Sequence, residues 1–301
     1  MMNTGMRERT LTLLMLAPLG AACAAALQPF GIEGMGVVST PAAEVRASVS
    51  PDGQRIVWGS IDRAGGAGSY DLWQAVRREG GWTDAQPLSI NTPAREFDPF
   101  FSADGKWLYF FSDRPGGQGG DDLYRAAVQG DGEFAAPENL GAGVNNPGDE
   151  WAPALDRDGD RLMFASDGFG GAGRHDLFVA RWNGEAFADP VPVPGVNTPG
   201  DEFDAAWIED GKAIVFAHAS NLESDPVRLL LAQCDGTAYS QPQPWALPFN
   251  GPQDNTFGPV VDLSKPGEML VNGIARAPKA GRQDIYRVAT PAVTGQDGCV
   301  G

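Results

Sequence analysis

Four glutamates lie at matching positions in four similar segments of the chain, where they begin short, largely apolar stretches. They are Glu44, Glu96, Glu150 and Glu202, and two aspartates, Asp98 and Asp204, follow two of them at a spacing of two residues. Carboxylates gathered in one place repel one another unless a cation, protons or backbone donors compensate. Such a set can bind a hard cation such as Ca²⁺, serve as the acid and base of a glycosidase, or accept hydrogen bonds from its own loops.

The segments that contain these glutamates are internal repeats. Four of them, "EVRASVSPDGQRIVWGS", "EFDPFFSADGKWLYFFS", "EWAPALDRDGDRLMFAS" and "EFDAAWIEDGKAIVFAH", align almost without adjustment, and a fifth, "TFGPVVDLSKPGEMLVN", keeps the pattern without the Glu. The second residues of the five segments are separated by 52, 54, 52 and 54 residues. Asp-Gly and Gly-rich turns divide each unit into four strands, which we name A to D. Units of this kind are typical of propeller blades.

The repeats predict an all-β fold, a five-bladed β-propeller of four-stranded blades in a single domain over residues 28–290. The fifth unit lacks a strand D, but the segment that starts at Phe30 resembles the strands D of the other units. We therefore expect this N-terminal strand to complete the last blade and to close the ring without an unpaired edge. Residues 291–301 are expected to form a C-terminal tail.

The N-terminus has the pattern of an export signal. Two arginines precede the apolar run "LTLLMLAPLGAACAAAL", which ends in small residues and is too short for a confident membrane span. Residues 1–26 are therefore predicted to be a signal peptide, released by cleavage near Ala24 or Ala26, or a lipoprotein signal that ends before Cys23 as the lipidated residue. In an oxidising compartment the remaining cysteines, Cys234 and Cys299, can form a disulfide.

The repeated blocks resemble a known family. "SPDG", "FFSDRPGGQGGDDLY", "FASDGFGGAGRHDLF" and "GRQDIY" are similar to the TolB-like, WD-repeat-like propeller repeats of exported bacterial proteins. The resemblance covers residues 30 to about 289 and implies the fold, together with a role at the cell envelope, in the periplasm or on a lipid anchor. It implies little about chemistry, because such repeats occur in scaffolds, in envelope-binding proteins and beside hydrolase domains.

The long D-to-A and B-to-C connections are expected on one face of the ring, which we call the loop face, and the A-to-B and C-to-D turns on the other, the turn face. Binding usually resides in loops held by a rigid scaffold. We expect the four glutamates with Asp98 and Asp204 to converge at the channel mouth of the loop face. Further candidates for ligand contact in the loops are Arg63, Arg114, Gln118, Asp121, Arg174 and His175. The aspartates that recur in strand C are expected to cap loop amides as structural residues: Asp71, Asp122, Asp176 and Asp284.

Composition and motifs restrict the function. The net charge of -17 makes nucleic acid an unsuitable partner because the chain repels phosphate. Two histidines exclude a multi-His metal site, and no Gly-x-Ser-x-Gly motif is present. The sequence thus favours a monomeric, non-catalytic module that binds an envelope protein or a glycan without a cofactor. The alternatives are a carbohydrate-active enzyme that uses the channel-mouth carboxylates and a scaffold stabilised by calcium.

Overall fold

The computed structural model describes residues 1, 29–130 and 132–300, and it is a five-bladed β-propeller as the repeats predicted. The predicted signal peptide and the lipidation candidate Cys23 lie outside the described residues. Among the described residues, no helix is long and apolar enough to cross a membrane. Each blade is a four-stranded antiparallel sheet in the order A-B-C-D.

The strands follow the repeats closely. Blade 1 comprises β2 (Ala43–Val49), β3 (Arg55–Ile61), β4 (Tyr70–Arg78) and β5 (Gly81–Pro87); blade 2 comprises β6 (Glu96–Phe101), β7 (Trp107–Ser112), β8 (Asp122–Ala127) and β9 (Glu138–Asn139). Blade 3 comprises β10 (Glu150–Leu155), β11 (Arg161–Ser166), β12 (Asp176–Trp182) and β13 (Phe187–Pro192); blade 4 comprises β14 (Asp201–Ile208), β15 (Ala213–Ala219), β16 (Arg228–Gln233) and β17 (Gln243–Pro244). Blade 5 comprises β18 (Phe257–Val261), β19 (Glu268–Gly273), β20 (Asp284–Ala289) and the N-terminal β1 (Phe30–Ile32).

The ring is closed by strand exchange between its two ends, which confirms the prediction for the N-terminal segment. Strand β1 pairs with β20 in antiparallel register, with Phe30 opposite Val288. Arg287 of β20 reinforces this closure, since its guanidinium contacts Glu33 after β1 at 2.6 Å and Asp262 after β18 at 2.6 Å. Strand β1 thus covers the edge of β20, which would otherwise be the unpaired outer strand of blade 5.

The core lies between neighbouring blades. Strand B of every blade has one large apolar residue at an equivalent position, two residues before a polar residue near the end of the strand. The side chain of this apolar residue is fully buried. These residues are Trp58, Phe110, Phe164, Phe216 and Leu270. Burial of such side chains supplies about 1.5–3 kcal/mol each, so the repeat holds each blade against its neighbour.

Strand A of each blade contains a β-bulge that the repeats did not predict. The pairing with strand B shifts register after the second residue, and the third residue of the unit has a positive φ in all five blades. The residues are Arg46 (33°), Asp98 (54°), Ala152 (55°), Asp204 (47°) and Gly258 (62°). A bulge breaks the alternation of side chains along a strand, so these residues do not share the face of the glutamates two positions earlier.

The C-terminal tail is attached to blade 4. Cys234 at the end of β16 forms a disulfide with Cys299 across 65 residues. The amide of Gln296 donates to the carbonyl of Cys234, and Arg161 of blade 3 donates to the carbonyl of Val300 at 2.9 Å. The tail therefore connects blades 3 and 4 on the turn face.

Candidate functional site

Glu44, Glu96, Glu150 and Glu202, which we call the corner glutamates, are fully buried where the D-to-A loop enters strand A. Each carboxylate accepts a hydrogen bond from the backbone amide four residues earlier, at 2.8–3.0 Å, and a second from the side chain of that same residue, at 2.5–2.6 Å. The donors are Thr40, Thr92, Asn146 and Thr198. Each carboxylate is thus bonded within its own blade corner. The repeats had predicted instead that the four glutamates converge at the channel mouth of the loop face.

Burial raises the pKa of every corner glutamate, because an apolar surrounding disfavours the charged form. The pKa reaches about 7 for Glu44 and Glu202 and about 8 for Glu150, although the hydrogen bonds from their loops oppose the effect. Glu96 differs because Arg114 forms an ion pair with it at 3.0 Å. The loop candidate Arg114 therefore contacts a corner glutamate.

The aspartates at the start of strand C cap the Gly-rich loop that precedes them. Asp71 accepts from the amides of Ala67 and Gly68, and Asp176 accepts from the amide of Gly173. Asp122 and Asp284 accept corresponding bonds from the amides of Gln118, Ala280 and Gly281. All four carboxylates are almost completely buried.

The bulge residues meet in the channel. Arg46 is fully buried and reaches across the ring, where it pairs with Asp204 at 3.3 Å and donates to the carbonyl of Pro153 at 3.1 Å. Asp98 is in hydrogen-bonding contact with Asp204, whose second oxygen accepts from the amide of Gly258 at 2.9 Å. We call Arg46, Asp98 and Asp204 the channel cluster.

The channel cluster holds two acids near one cation, and the environments of the two acids differ. Burial, together with the charge of Asp204, raises the pKa of Asp98 well above its usual range. Burial also raises the pKa of Asp204, but Arg46 and the amide of Gly258 oppose the rise. Of the two acids, Asp98 is therefore the one whose neutral form is favoured more strongly. With 6% and 3% of their surface exposed, the two acids are enclosed.

Side chains from blades 2, 3 and 4 form an asymmetric region on the loop face, which we call the loop-face patch. Its members are Arg95, Asp113, Asp121, Asp149, Trp151, Asp167, His175 and Asp201. Trp151 lies at its centre: its ring stacks on His175 at 4.0 Å, and its indole nitrogen donates to Asp121 at 2.8 Å. The stack lies within blade 3, and the hydrogen bond to Asp121 joins blade 3 to blade 2.

The patch is rich in carboxylates of unequal environment. Asp121 is almost completely buried, and burial raises its pKa to about 6 although Arg95, at 3.1 Å, lowers it. Arg95 also pairs with the half-exposed Asp113 at 3.1 Å. Asp121 and His175, both singled out from the sequence, therefore belong to the patch.

The remaining loop candidates lie elsewhere. Arg63 stacks over Trp73 at 4.3 Å and donates to the carbonyl of Val37, which fixes it within blade 1. Gln118 is exposed, and Arg174 is half exposed with its guanidinium at 3.0 Å from the side-chain oxygen of Asn221. None of these three contacts the loop-face patch in the hydrogen bonds and ion pairs of the described residues.

Sequence reasoning missed most members of the patch, although a signal was present. The residue before the repeated Glu differs from blade to blade, being Ala43, Arg95, Asp149 and Asp201 in blades 1 to 4. A repeat column in which charge changes between blades marks the places where the symmetric scaffold becomes asymmetric. Comparing blades column by column for differences would have found Arg95, Asp149 and Asp201.

One open cavity lies on the turn face, at the centre of the ring. It has a volume of about 670 Å³ and is lined by the ends of strands A and the A-to-B turns of the five blades, including Pro51, Ala103, Leu155, Trp207 and Leu263. A second cavity of about 670 Å³ lies beside it between blades 1 and 2 and includes Arg77, Arg78 and Gln129. The concave surfaces and the charged loop face are therefore separate.

No family model and no curated protein matches the sequence. Among solved structures, the fold is similar to a putative TolB from Agrobacterium tumefaciens, with a TM-score of 0.50 and 12% identity over 83% of this chain and 84% of that one. TolB from Acinetobacter baumannii aligns with a TM-score of 0.48 and 13% identity over 84% of this chain, which spans 55% of its length.

CoXyl43, a GH43 beta-xylosidase/alpha-arabinofuranosidase from a compost microbial metagenome, aligns with a TM-score of 0.55 and 12% identity over 89% of this chain and 97% of that one. The structural neighbours thus include TolB-like propellers, as the sequence resemblance implied, and also a glycosidase. At such identities the similarity establishes the propeller fold and leaves the activity open.

Proposed function

We propose that the protein is an exported, monomeric, non-catalytic propeller that binds an envelope protein through its loop-face patch. The proposal depends on the contrast between enclosed and accessible carboxylates. The corner glutamates and the acids of the channel cluster are buried and bonded internally. Asp113, Asp149 and Asp167 instead reach the surface beside a rigid Trp151–His175 stack.

The chemistry of the patch favours a basic protein segment over a glycan. Sugars bind aromatic rings through an open ring face, whereas His175 covers one face of Trp151, and Phe111 and Phe203 pack against the same ring at 6.4 Å. The accessible carboxylates and the net charge of -17 attract Lys and Arg side chains. The Cys234–Cys299 disulfide supports export, since such bonds persist in oxidising compartments.

A crosslinking pull-down from envelope extract tests the proposal with two matched variants of blade 2. Asp113→Lys reverses a charge in the loop-face patch, and Asp104→Lys makes the same change on the turn face, where Asp104 pairs with Lys106. We expect Asp113→Lys to lose a partner that the wild type and Asp104→Lys both retain, and binding of that purified partner to weaken with salt. Equal retention by both variants would exclude the patch.

A glycosidase is the second candidate, favoured by the fold of CoXyl43 and by the acid pair Asp98–Asp204. Two carboxylates with separated pKa values can act as acid and base, but these are enclosed beside Arg46. We expect no turnover of aryl xylosides or arabinofuranosides. Turnover that is abolished in Asp98→Asn would replace the binding proposal with catalysis.

A calcium-stabilised scaffold is the third alternative. The corner glutamates already accept two hydrogen bonds each from their own loops, so we propose that the ring holds together without Ca²⁺ between them. A melting curve should then be the same before and after chelation and after addition of Ca²⁺. An upward shift with Ca²⁺ that is lost in Glu202→Gln would support the scaffold instead.

A further inference from the structure

Three potential metal ligands converge within the loop-face patch. Asp149 ends the loop between blades 2 and 3, Asp167 follows strand β11, and His175 precedes strand β12. One carboxylate oxygen of each aspartate and a ring nitrogen of His175 lie within 4.8 Å of one another. The three groups come from separate loops, so their proximity arises from the fold.

The imidazole of His175 is held in a fixed orientation. Its Nδ1 lies 2.9 Å from Oδ1 of Asp201, a buried carboxylate whose Oδ2 accepts the amide of Leu222 at 2.9 Å. Because the carboxylate can only accept, Nδ1 carries the proton and Nε2 carries the lone pair. The stacked ring of Trp151 restrains the imidazole from its face.

Nε2 of His175 is buried and has no hydrogen-bond partner among the described residues. Buried polar atoms are almost always paired, so such an atom calls for an explanation. A histidine that binds a metal through one nitrogen characteristically donates the other to a carboxylate. The Asp201–His175 pair has that arrangement.

The two aspartates also retain unused acceptor atoms. Oδ1 of Asp149 accepts the amide of Asp121 at 2.8 Å, and Oδ1 of Asp167 accepts the amide of Asp149 at 2.8 Å. Within the described part of the chain, no hydrogen bond is formed to Oδ2 of either residue. The site therefore offers one nitrogen and two oxygens with free lone pairs.

The corresponding corner of blade 2 shows what is missing in blade 3. There Asp113 accepts the amide of Arg95 at 2.7 Å, just as Asp167 accepts the amide of Asp149. In blade 2 the guanidinium of Arg95 neutralises Asp113 and Asp121. Blade 3 has an aspartate in place of that arginine, so among the described residues Asp149 and Asp167 form no ion pair, although the charge of Arg95 still acts on Asp149.

We propose that Asp149, Asp167 and His175 bind a divalent transition-metal ion, Zn²⁺ in the first place, with Asp201 as the residue that orients His175. Imidazole nitrogen with carboxylate oxygen suits zinc better than calcium. Zinc bonds of about 2.0–2.2 Å place tetrahedral ligand atoms roughly 3.4 Å apart, so the ligand atoms, now within 4.8 Å of one another, must approach by up to about 1.4 Å, which the exposed Asp167 permits. Three protein ligands leave a fourth position open to water or to a ligand oxygen.

Calorimetric titration with Zn²⁺ tests this site directly and independently of any partner. The full chain is used without a histidine tag, after chelation and after alkylation of the Cys23 thiol. We expect one equivalent of Zn²⁺ to bind, and His175→Ala to weaken binding at least about 100-fold. His218→Ala is the matched control because His218 is the chain's other histidine, and it should bind as the wild type does. Asp201→Asn should weaken binding about 10- to 100-fold, as expected for a residue that orients a ligand.

Several results would overturn the proposal. These are the absence of stoichiometric Zn²⁺ binding by the folded wild type at micromolar metal, or equal losses in His175→Ala and His218→Ala. If His175→Ala fails to fold, Asp167→Asn replaces it, since Asp167 is exposed and should weaken Zn²⁺ binding without unfolding the blade. Binding of Ca²⁺ in preference to Zn²⁺, unaffected by His175→Ala, would assign an oxygen-only site elsewhere and contradict the zinc site.

Discussion

The corner glutamates and the residues of the channel cluster lie two positions apart on the same strands, yet the blades repeat different properties at the two positions. At the corners, four blades repeat the same side chain with the same two hydrogen bonds. In the channel, all five blades repeat the same left-handed backbone, while the side chains change from Arg to Asp, Ala, Asp and Gly. A repeated side chain supports each blade separately, whereas a repeated backbone with varied side chains makes the ring asymmetric.

The two regions also differ in the range of their contacts. Glu202 is bonded to Thr198, four residues away in its own corner. Arg46 of blade 1 contacts Asp204 of blade 4 and the carbonyl of Pro153 in blade 3. Removing the hydrogen bonds of a corner glutamate should therefore destabilise its own blade. Removing the contacts of the channel cluster should destabilise the packing of several blades.

Removing the cation of the channel cluster should give the largest effect. Arg46→Ala leaves Asp204 without its buried partner and leaves the carbonyl of Pro153 without a donor. Breaking one side of a buried ion pair costs about 3–5 kcal/mol. Urea unfolding followed by circular dichroism should show a loss of this size in the free energy of unfolding.

Arg125→Ala is the control for Arg46→Ala. Arg125 pairs with the exposed Glu138 at 3.1 Å, which contributes about 0–1 kcal/mol, and lies 4.1 Å from the ring of Trp107, a cation–π contact worth about 0.5–1 kcal/mol, so the expected loss stays below that of Arg46→Ala. If the two variants lose the same stability, the channel cluster does not connect the blades in the way described.

The corner of blade 3 should make the fold less stable as pH rises. Burial raises the pKa of Glu150 from 4.5 to about 8 in the folded protein. The folded state thus holds a proton that the unfolded state has lost, so the free energy of unfolding falls as pH increases from about 4.5 to about 8. The glutamine side chain of Glu150→Gln cannot ionise. Between these pH values, the free energy of unfolding of the variant should therefore fall by about 1–3 kcal/mol less than that of the wild type.

Glu96→Gln provides the contrast to Glu150→Gln: burial raises the pKa of Glu96 as well, but the substitution leaves the guanidinium of Arg114, at 3.0 Å, without its anionic partner. At pH 8 we expect Glu150→Gln to be as stable as the wild type or more stable, and Glu96→Gln to be less stable. Unfolding curves at pH 5 and pH 8 measure both. Identical pH dependence in wild type and Glu150→Gln would show that Glu150 is ionised throughout.

The fold could be predicted almost entirely from the sequence, but the bulge could not. Repeat spacing gave the blades, and the segment after Phe30 gave the closing strand. The bulge column holds Arg46, Ala152 and Gly258 alongside two aspartates, and only Gly among them adopts positive φ without strain. No residue type is common to all five blades at this position. The shared backbone conformation is therefore produced by the packing of the ring and could not be predicted from the residue types.

The candidate site was predictable only in part. Asp121 and His175 were among the loop candidates named from the sequence. The contacts of Asp121 with Trp151 and of His175 with Asp201 cross from one blade to the next, whereas Arg95 and Asp121 belong to the same blade. Repeat alignment identifies equivalent positions but not which side chains meet across a blade boundary, so the patch became visible only in three dimensions.

Independent corners and a connected channel should also differ in additivity, which gives the smallest expected effects. Thr92→Val and Thr198→Val each remove one hydroxyl donor to a corner glutamate, at a cost of about 0.5–1.5 kcal/mol. The double variant should lose the sum of the two free energies to within about 0.5 kcal/mol.

By contrast, Arg46→Ala and Asp204→Asn share one ion pair, so the free energy of unfolding of their double variant should fall by clearly less than the sum. Additive losses in the channel, or coupled losses between the corners, would remove the distinction between local support and support of the whole ring.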